Sequence, residues 1–194
     1  MTLEVIHYPH PTLRFKSKTL KKVDADLIKI ADEMLDQMYE KNGVGLAANQ
    51  VDLPIRMFVA NPTGTKGDGE EFVILNPVIQ HPKGSVSMEE GCLSLPGVNG
   101  EVTRPKSIHL SAYDIKGNAI ETRLEGFLAR VFMHEIDHLD GTLFFDRMSD
   151  VNVAVLQPEL DELETVFRSQ QSTGTIESDE KLIENLSQWT EKYC

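Results

Sequence analysis

Between Asp24 and Asn42 the apolar residues fall at Leu27, Ile28, Ala31, Met34, Leu35 and Met38. Steps of three and four set them on one face of a helix, and Gly43 follows where a helix end favours a residue free to take positive φ. The spacing predicts an amphipathic helix with one side on the core. Residues 55–60 are short and mostly apolar and predict a buried strand. Asn61-Pro-Thr-Gly-Thr-Lys-Gly-Asp-Gly-Glu70 is turn-rich and predicts a surface loop. Residues 72–79 are apolar and β-branched, but Asn76-Pro77 interrupts them, so a broken or edge strand is expected. Further strands are expected at 85–90, 107–113 and 119–124. The last two are joined across Asp114-Ile-Lys-Gly-Asn118 as a hairpin. Residues 127–133 are almost wholly apolar, which predicts a buried helix running into His134.

After Asp150 the pattern thins. Pro158 marks the expected start of a helix through Leu160, Leu163 and Phe167. Residues 170–175 read as a linker. Ser178, followed by Asp179 and Glu180, caps a last helix with Leu182, Ile183, Leu186 and Trp189 as its apolar stripe. Trp189 is expected to pack on the body of the protein. Residues 151–194 carry nine acidic and three basic side chains, half of the chain's net charge of −12. The expected organisation is one body over 1–150 and an acidic helical extension over 151–194.

At 194 residues the chain suits a single core. Its acidity argues against sequence-independent binding to DNA or RNA and against anionic membrane surfaces. It has no apolar run of membrane-spanning length. The N-terminal stretch Met1 to Pro9 lacks the basic and apolar regions of a secretory signal. Cys92 and Cys194 are the two cysteines, and a reducing cytoplasm without a disulfide is expected.

The chemistry concentrates in His134-Glu-Ile-Asp-His138. Two histidines four residues apart lie one helical turn apart on one face, close enough to share a metal ion. Glu135 sits beside them as a candidate general base, the pattern of metal-assisted hydrolysis. A structural metal, or histidines bonded only to backbone, are the plainer alternatives. A catalytic site of this kind needs a third ligand. Phe144 stands where one protease pattern has a third histidine, and it cannot bind metal. Glu159, Glu162 and Glu164 are conceivable but lie in an acidic, solvated helix. Cys92, in Glu90-Gly-Cys-Leu-Ser-Leu-Pro96, is the stronger candidate, against the plain alternative of a buried core thiol. Gly43-Val-Gly-Leu-Ala-Ala-Asn-Gln50 lacks the lysine of a phosphate loop. Its Gln50 amide and the Leu93 N–H could instead serve as oxyanion donors.

With these three segments in order, residues 43–50, 90–96 and 134–138, the chain resembles the peptide deformylase family over roughly residues 3–150. Tyr8-Pro9 and Leu13-Arg14 resemble the family's opening. The resemblance implies an α+β fold with antiparallel sheets packed around a central buried helix that carries the two histidines. It implies Cys92, His134 and His138 as metal ligands, Glu135 as the acid/base, and Gln50 and Leu93 as oxyanion donors. It also implies Fe(II) in cells, with Zn, Ni or Co as replacements on purification. The implied substrate is an N-formylmethionyl peptide, contacted by Val44, Gly45, Glu90, Phe127 and Val131, in the bacterial cytoplasm. A zinc endopeptidase and a silent metal-binding protein are the competing classes.

Some positions depart from the family pattern. Met133 stands where a glutamine is common, and Asn99 where some members have a substrate-contacting arginine. Arg130 occupies an often apolar position, where it offers its stem to the pocket or pairs with an acid. Arg104 is expected to pair with Glu90. Some members dock on the ribosome through a C-terminal helix, but ribosomal RNA would repel the acidic extension here.

Overall fold

The computed structural model describes residues 3–194, so the first two residues of the N-terminal stretch lie outside it. The first helix, α1 (Ala25–Glu40), is capped by the Asp24 side chain, which accepts the Leu27 N–H. It buries Leu27, Ala31, Met34, Leu35 and Met38, the face that the spacing predicts, whereas Ile28 at the edge of the stripe is exposed.

The strands β1 (Gly45–Ala47), β2 (Met57–Ala60), β3 (Phe72–Lys83), β6 (Ser107–Tyr113) and β7 (Ala119–Glu125) form an antiparallel sheet in the order β1-β2-β3-β6-β7. A separate two-stranded ribbon joins β4 (Val86–Cys92) to β5 (Leu95–Arg104). Helix α2 (Gly126–Leu139) follows β7, and α3 (Asp150–Ser172) and α4 (Asp179–Tyr193) close the chain. No helix among the described residues is long and apolar enough to cross a membrane.

The sheet is buried on both sides around β2. Met57 and Val59 join the α1 residues Leu27, Met34 and Met38 in one cluster, while Phe58 and Ala60 join Phe132, Ile136 and Leu139 of α2 in another. Successive side chains of a strand point to opposite faces, so a strand between two helices must be apolar at every position. The Phe132 ring meets Phe58 and Phe72 edge-on, at centroid distances of 5.0 and 5.3 Å. These contacts fix α2 against the sheet and so place its histidines.

The expected break at Asn76-Pro77 is a bulge inside β3, which is paired on both sides and is not an edge strand: Asn76 takes a φ of 50°, and its side chain bonds both backbone groups of Leu20. β5 had no sequence signal, because Pro96-Gly97 and Asn99-Gly100 read as turn residues although Leu95, Val98 and Val102 are buried. Helix α3 begins two turns before Pro158, at a Ser149 cap, and carries the proline in its interior. The first turn of α2 is open, with Phe127 47% exposed, so the helix is buried only from Ala129 onward.

The acidic helices pack on the body. Leu160 of α3 joins Leu95, Val98 and Val102 of β5, together with Phe144 and Phe145. Tyr193 of α4 is buried among α1 residues, stacked on Trp189 at 6.2 Å, and its hydroxyl donates to Asp24 Oδ1 at 3.1 Å.

Candidate metal centre and catalytic cleft

Three elements bring the polar residues together. Cys92 ends β4, where the chain turns into β5. His134 and His138 lie one turn apart on α2. Cys92 Sγ is 3.2 Å from His138 Nε2, which is 3.2 Å from His134 Nε2, and all three donor atoms lie within 4.8 Å of one another. Nitrogen and sulfur ligands around one tetrahedral ion sit roughly 3.3–3.8 Å apart, so this trio fits a single divalent metal. Glu159, Glu162 and Glu164 belong to no such group among the described residues.

The ring of His134 is held from behind. Its Nδ1 lies 3.0 Å from Glu90 Oε2, which leaves Nε2 to face the trio, the carboxylate–histidine arrangement common behind metal ligands. Glu90 is itself clamped. Arg104 donates to both of its oxygens, at 2.6 and 2.9 Å, and Arg130 bonds Oε1 as well as the carbonyls of Val86 and Val102. Burial pushes the Glu90 carboxyl upward, but His134 and Arg104 outweigh it and bring it down to about 2. Arg104 also reaches Asp137 at 2.7 Å, and Asp137 is held in turn by Arg147. The expected Arg104–Glu90 pair is therefore one part of a longer buried network. The aspartate inside His134-Glu-Ile-Asp-His138 was its unread signal. Glu90, expected at the substrate, borders the cleft but has both oxygens engaged by protein.

Gln50 lies in the 3-10 turn Ala48–Val51. Its Oε1 accepts the Ala47 N–H at 2.8 Å, which turns Nε2 toward Ser94 Oγ at 3.1 Å and Cys92 Sγ at 3.4 Å. The Leu93 N–H, next to Cys92, has no backbone acceptor among the described residues. Asn49 donates to the His138 carbonyl and ties this turn to α2, a contact that the sequence did not signal.

A cavity of about 690 Å³ opens beside the trio, bordered by Val44, Gly45, Phe127, Val131, His134 and Glu135. Gln50, Cys92 and Leu93 also line it, as does Arg130. Met133 points away into the apolar cluster beneath the sheet, and Asn99 sits opposite Gly91 on the ribbon. Glu135 is 3% exposed, and its Oε2 has no protein partner. Burial raises this carboxyl to about 7, against the lowering pull of His134 and Arg104, which suits a group that must both take and give a proton near neutrality. A Cβ on Gly45 would overlap Glu135 Oε1, so the glycine makes room for the carboxylate. Gly45→Ala is expected to fold yet lose about a hundredfold in kcat through the displaced Glu135. Steady-state kinetics beside a thermal melt check this, and near-normal kcat would disprove it.

Two histidines and a cysteine sulfur close enough to share one ion, with a buried carboxylate beside them, match the arrangement of a metal-dependent hydrolase, here on an α+β fold. The polypeptide deformylase family model matches residues 2–154. A peptide deformylase of Rhodopirellula baltica is 53% identical over 193 residues, 100% of this chain and 96% of that protein. The chloroplastic peptide deformylase 1B of Solanum lycopersicum is 42% identical over 91% of this chain, which spans only 63% of that protein. Among solved structures, Arabidopsis thaliana peptide deformylase 1B in complex with an inhibitor superposes with a TM-score of 0.83 at 42% identity, covering 89% of this chain and 94% of that one. A Plasmodium falciparum peptide deformylase gives 0.82 at 38% identity, covering 88% and 98%. The chain belongs to the polypeptide deformylase family, metal-dependent hydrolases that remove the N-terminal formyl group from nascent peptides.

Proposed function

We propose that this chain hydrolyses the formyl amide of N-formylmethionyl polypeptides at the cleft beside Glu135, releasing formate and a free amino terminus. The convergence of Cys92 Sγ with the two histidine Nε2 atoms, next to an unpartnered Glu135 oxygen, carries this reading. Cys92, His134 and His138 would hold a divalent metal, which would supply Lewis acidity at the cleft when bound. Glu135 takes the proton from the attacking water and passes it to the departing nitrogen. Gln50 Nε2 and the Leu93 N–H donate to the oxygen that gains negative charge on the formyl carbon. Val44, Phe127 and Val131 offer an apolar surface to the methionine side chain, and Gly45 allows the peptide to approach Glu135.

Fe(II) is the proposed metal in cells, with Zn, Ni or Co as replacements on purification. Thiolate and imidazole ligands accept all four. Air should inactivate the iron form by oxidising metal or sulfur. A bacterial cytoplasm fits the two free cysteines. The acidic α3–α4 region disfavours docking on ribosomal RNA.

Formate release from a formyl-Met tripeptide, assayed with anaerobically purified protein and metal analysis alongside, tests the reading. Absence of release from fully loaded protein would sink it. Internal cleavage of unformylated proteins would point to an endopeptidase instead. Cys92→Ala is expected to lower metal affinity at least about a hundredfold and activity with it. A loaded, active variant would move the third ligand elsewhere.

A further inference from the structure

A second cavity, of about 420 Å³, opens between residues 4–10 and the α3–α4 pair. Ile6, Tyr8, Leu163, Phe167 and Ile176 give it apolar walls, and His7 borders both this cavity and the cleft, so the two adjoin. His10 stands in the wall, 5% exposed. Its Nδ1 accepts the Thr12 N–H at 3.3 Å, so the neutral ring carries its proton on Nε2. No acceptor is seen for that Nε2–H among the described residues, and His10 lines the cavity.

The backbone of the same segment is half paired. Ile6 and Tyr8 donate to the carbonyls of Gln50 and Ser94, at 2.8 and 2.9 Å. Successive groups of an extended chain alternate sides, so the N–H groups of Val5 and His7 face the other way, with no backbone acceptor among the described residues. Glu4 and Glu177 line the cavity, and the carboxylates of Asp52 and Asp179 act on the His10 ring. This field disfavours an acidic occupant.

We propose that this groove receives the stretch of the formylated polypeptide downstream of its methionine. The stretch adds as a strand along residues 5–7, with a carbonyl on His10 Nε2 and an apolar side chain against Phe167. The wall shared at His7, between this groove and the cleft, points to the enzyme's own substrate as the occupant, and the acidic rim selects neutral or basic chains. The inference rests on the cleft being the formyl-peptide site.

The test compares a formyl-Met tripeptide with formyl-Met peptides of about ten residues, continued by either apolar and basic or acidic residues, on metal-loaded enzyme. The apolar–basic extension should raise kcat/KM about tenfold through KM, and the acidic one should not. The long-to-short ratio should fall toward unity in His10→Asn, which keeps an acceptor for the Thr12 amide, and in Val166→Glu, at a half-exposed position on the groove. A ratio near unity in the unmodified enzyme, or one that survives both substitutions, overturns the groove. Binding of the unformylated long peptide, read from the NMR signals of His10 and Phe167, tests it apart from turnover. Unperturbed signals there overturn it too, whereas failure of the tripeptide to release formate overturns the reading of the cleft.

Discussion

Glu135→Gln is expected to retain its metal and lose about a thousandfold in kcat. The amide matches the carboxylate in shape, so it fits beside Gly45 and leaves Cys92, His134 and His138 where they are. What it lacks is a site that accepts a proton from water and returns it to the leaving nitrogen. Burial already places the Glu135 carboxyl at about 7, a value useful for both transfers, and glutamine has no equivalent. Metal content and formate release measured on the same preparation separate the two effects. Activity within tenfold of the unmodified enzyme would remove Glu135 from the proton path, and loss of metal would make it a structural group.

Arg104→Met is expected to lower stability by about 3–5 kcal/mol, the usual consequence of stranding buried charges. Arg104 is 4% exposed and bonds Glu90 and Asp137, which are themselves 7% exposed. Methionine fills part of the space but leaves two carboxylates with weaker compensation from Arg130 and Arg147. Urea unfolding of metal-free protein measures the loss. Metal affinity should fall in parallel, because Glu90 orients the His134 ring. A loss under about 1 kcal/mol would mean that the network behaves like a surface pair.

Much of the scaffold was legible where periodicity and burial coincide. The α1 stripe, the apolar run around β2, and the β6–β7 hairpin each have one physical driver that acts within a few residues. β5 was not, because its buried residues are spaced by glycines and a proline whose local preference is to turn. The pairing partner that overrides this preference, β4, contributes nothing to the local pattern. The start of α3 was hidden for a related reason: Val151 and Val155 face solvent, so its first turns show no readable stripe.

The candidate site was more legible than the fold around it. His134, Glu135 and His138 lie within five residues and carry their geometry with them. Cys92 and Gln50 could be named from motif and resemblance, and the fold brings Cys92 against His138 and Gln50 against Cys92. The support behind them was mostly illegible. Asn49 on the His138 carbonyl, Ala47 on Gln50, and Asp137 between two arginines are contacts across long stretches of chain, or from backbone atoms that have no sequence signature.

Cys92 belongs to the β4–β5 ribbon, which shares no strand with the main sheet, whereas the histidines belong to α2. An ion shared between them would therefore be a cross-link between two separately hydrogen-bonded pieces of the molecule. A chelator would do more than silence the chemistry: it would remove one of the fasteners that keep the ribbon shut against the helix, and leave Arg104 on Asp137, Arg130 on the Val86 carbonyl, His134 on Glu90 and the packing under α3 to hold it. Amide exchange in the ribbon would then report cofactor loading as directly as colour or turnover does.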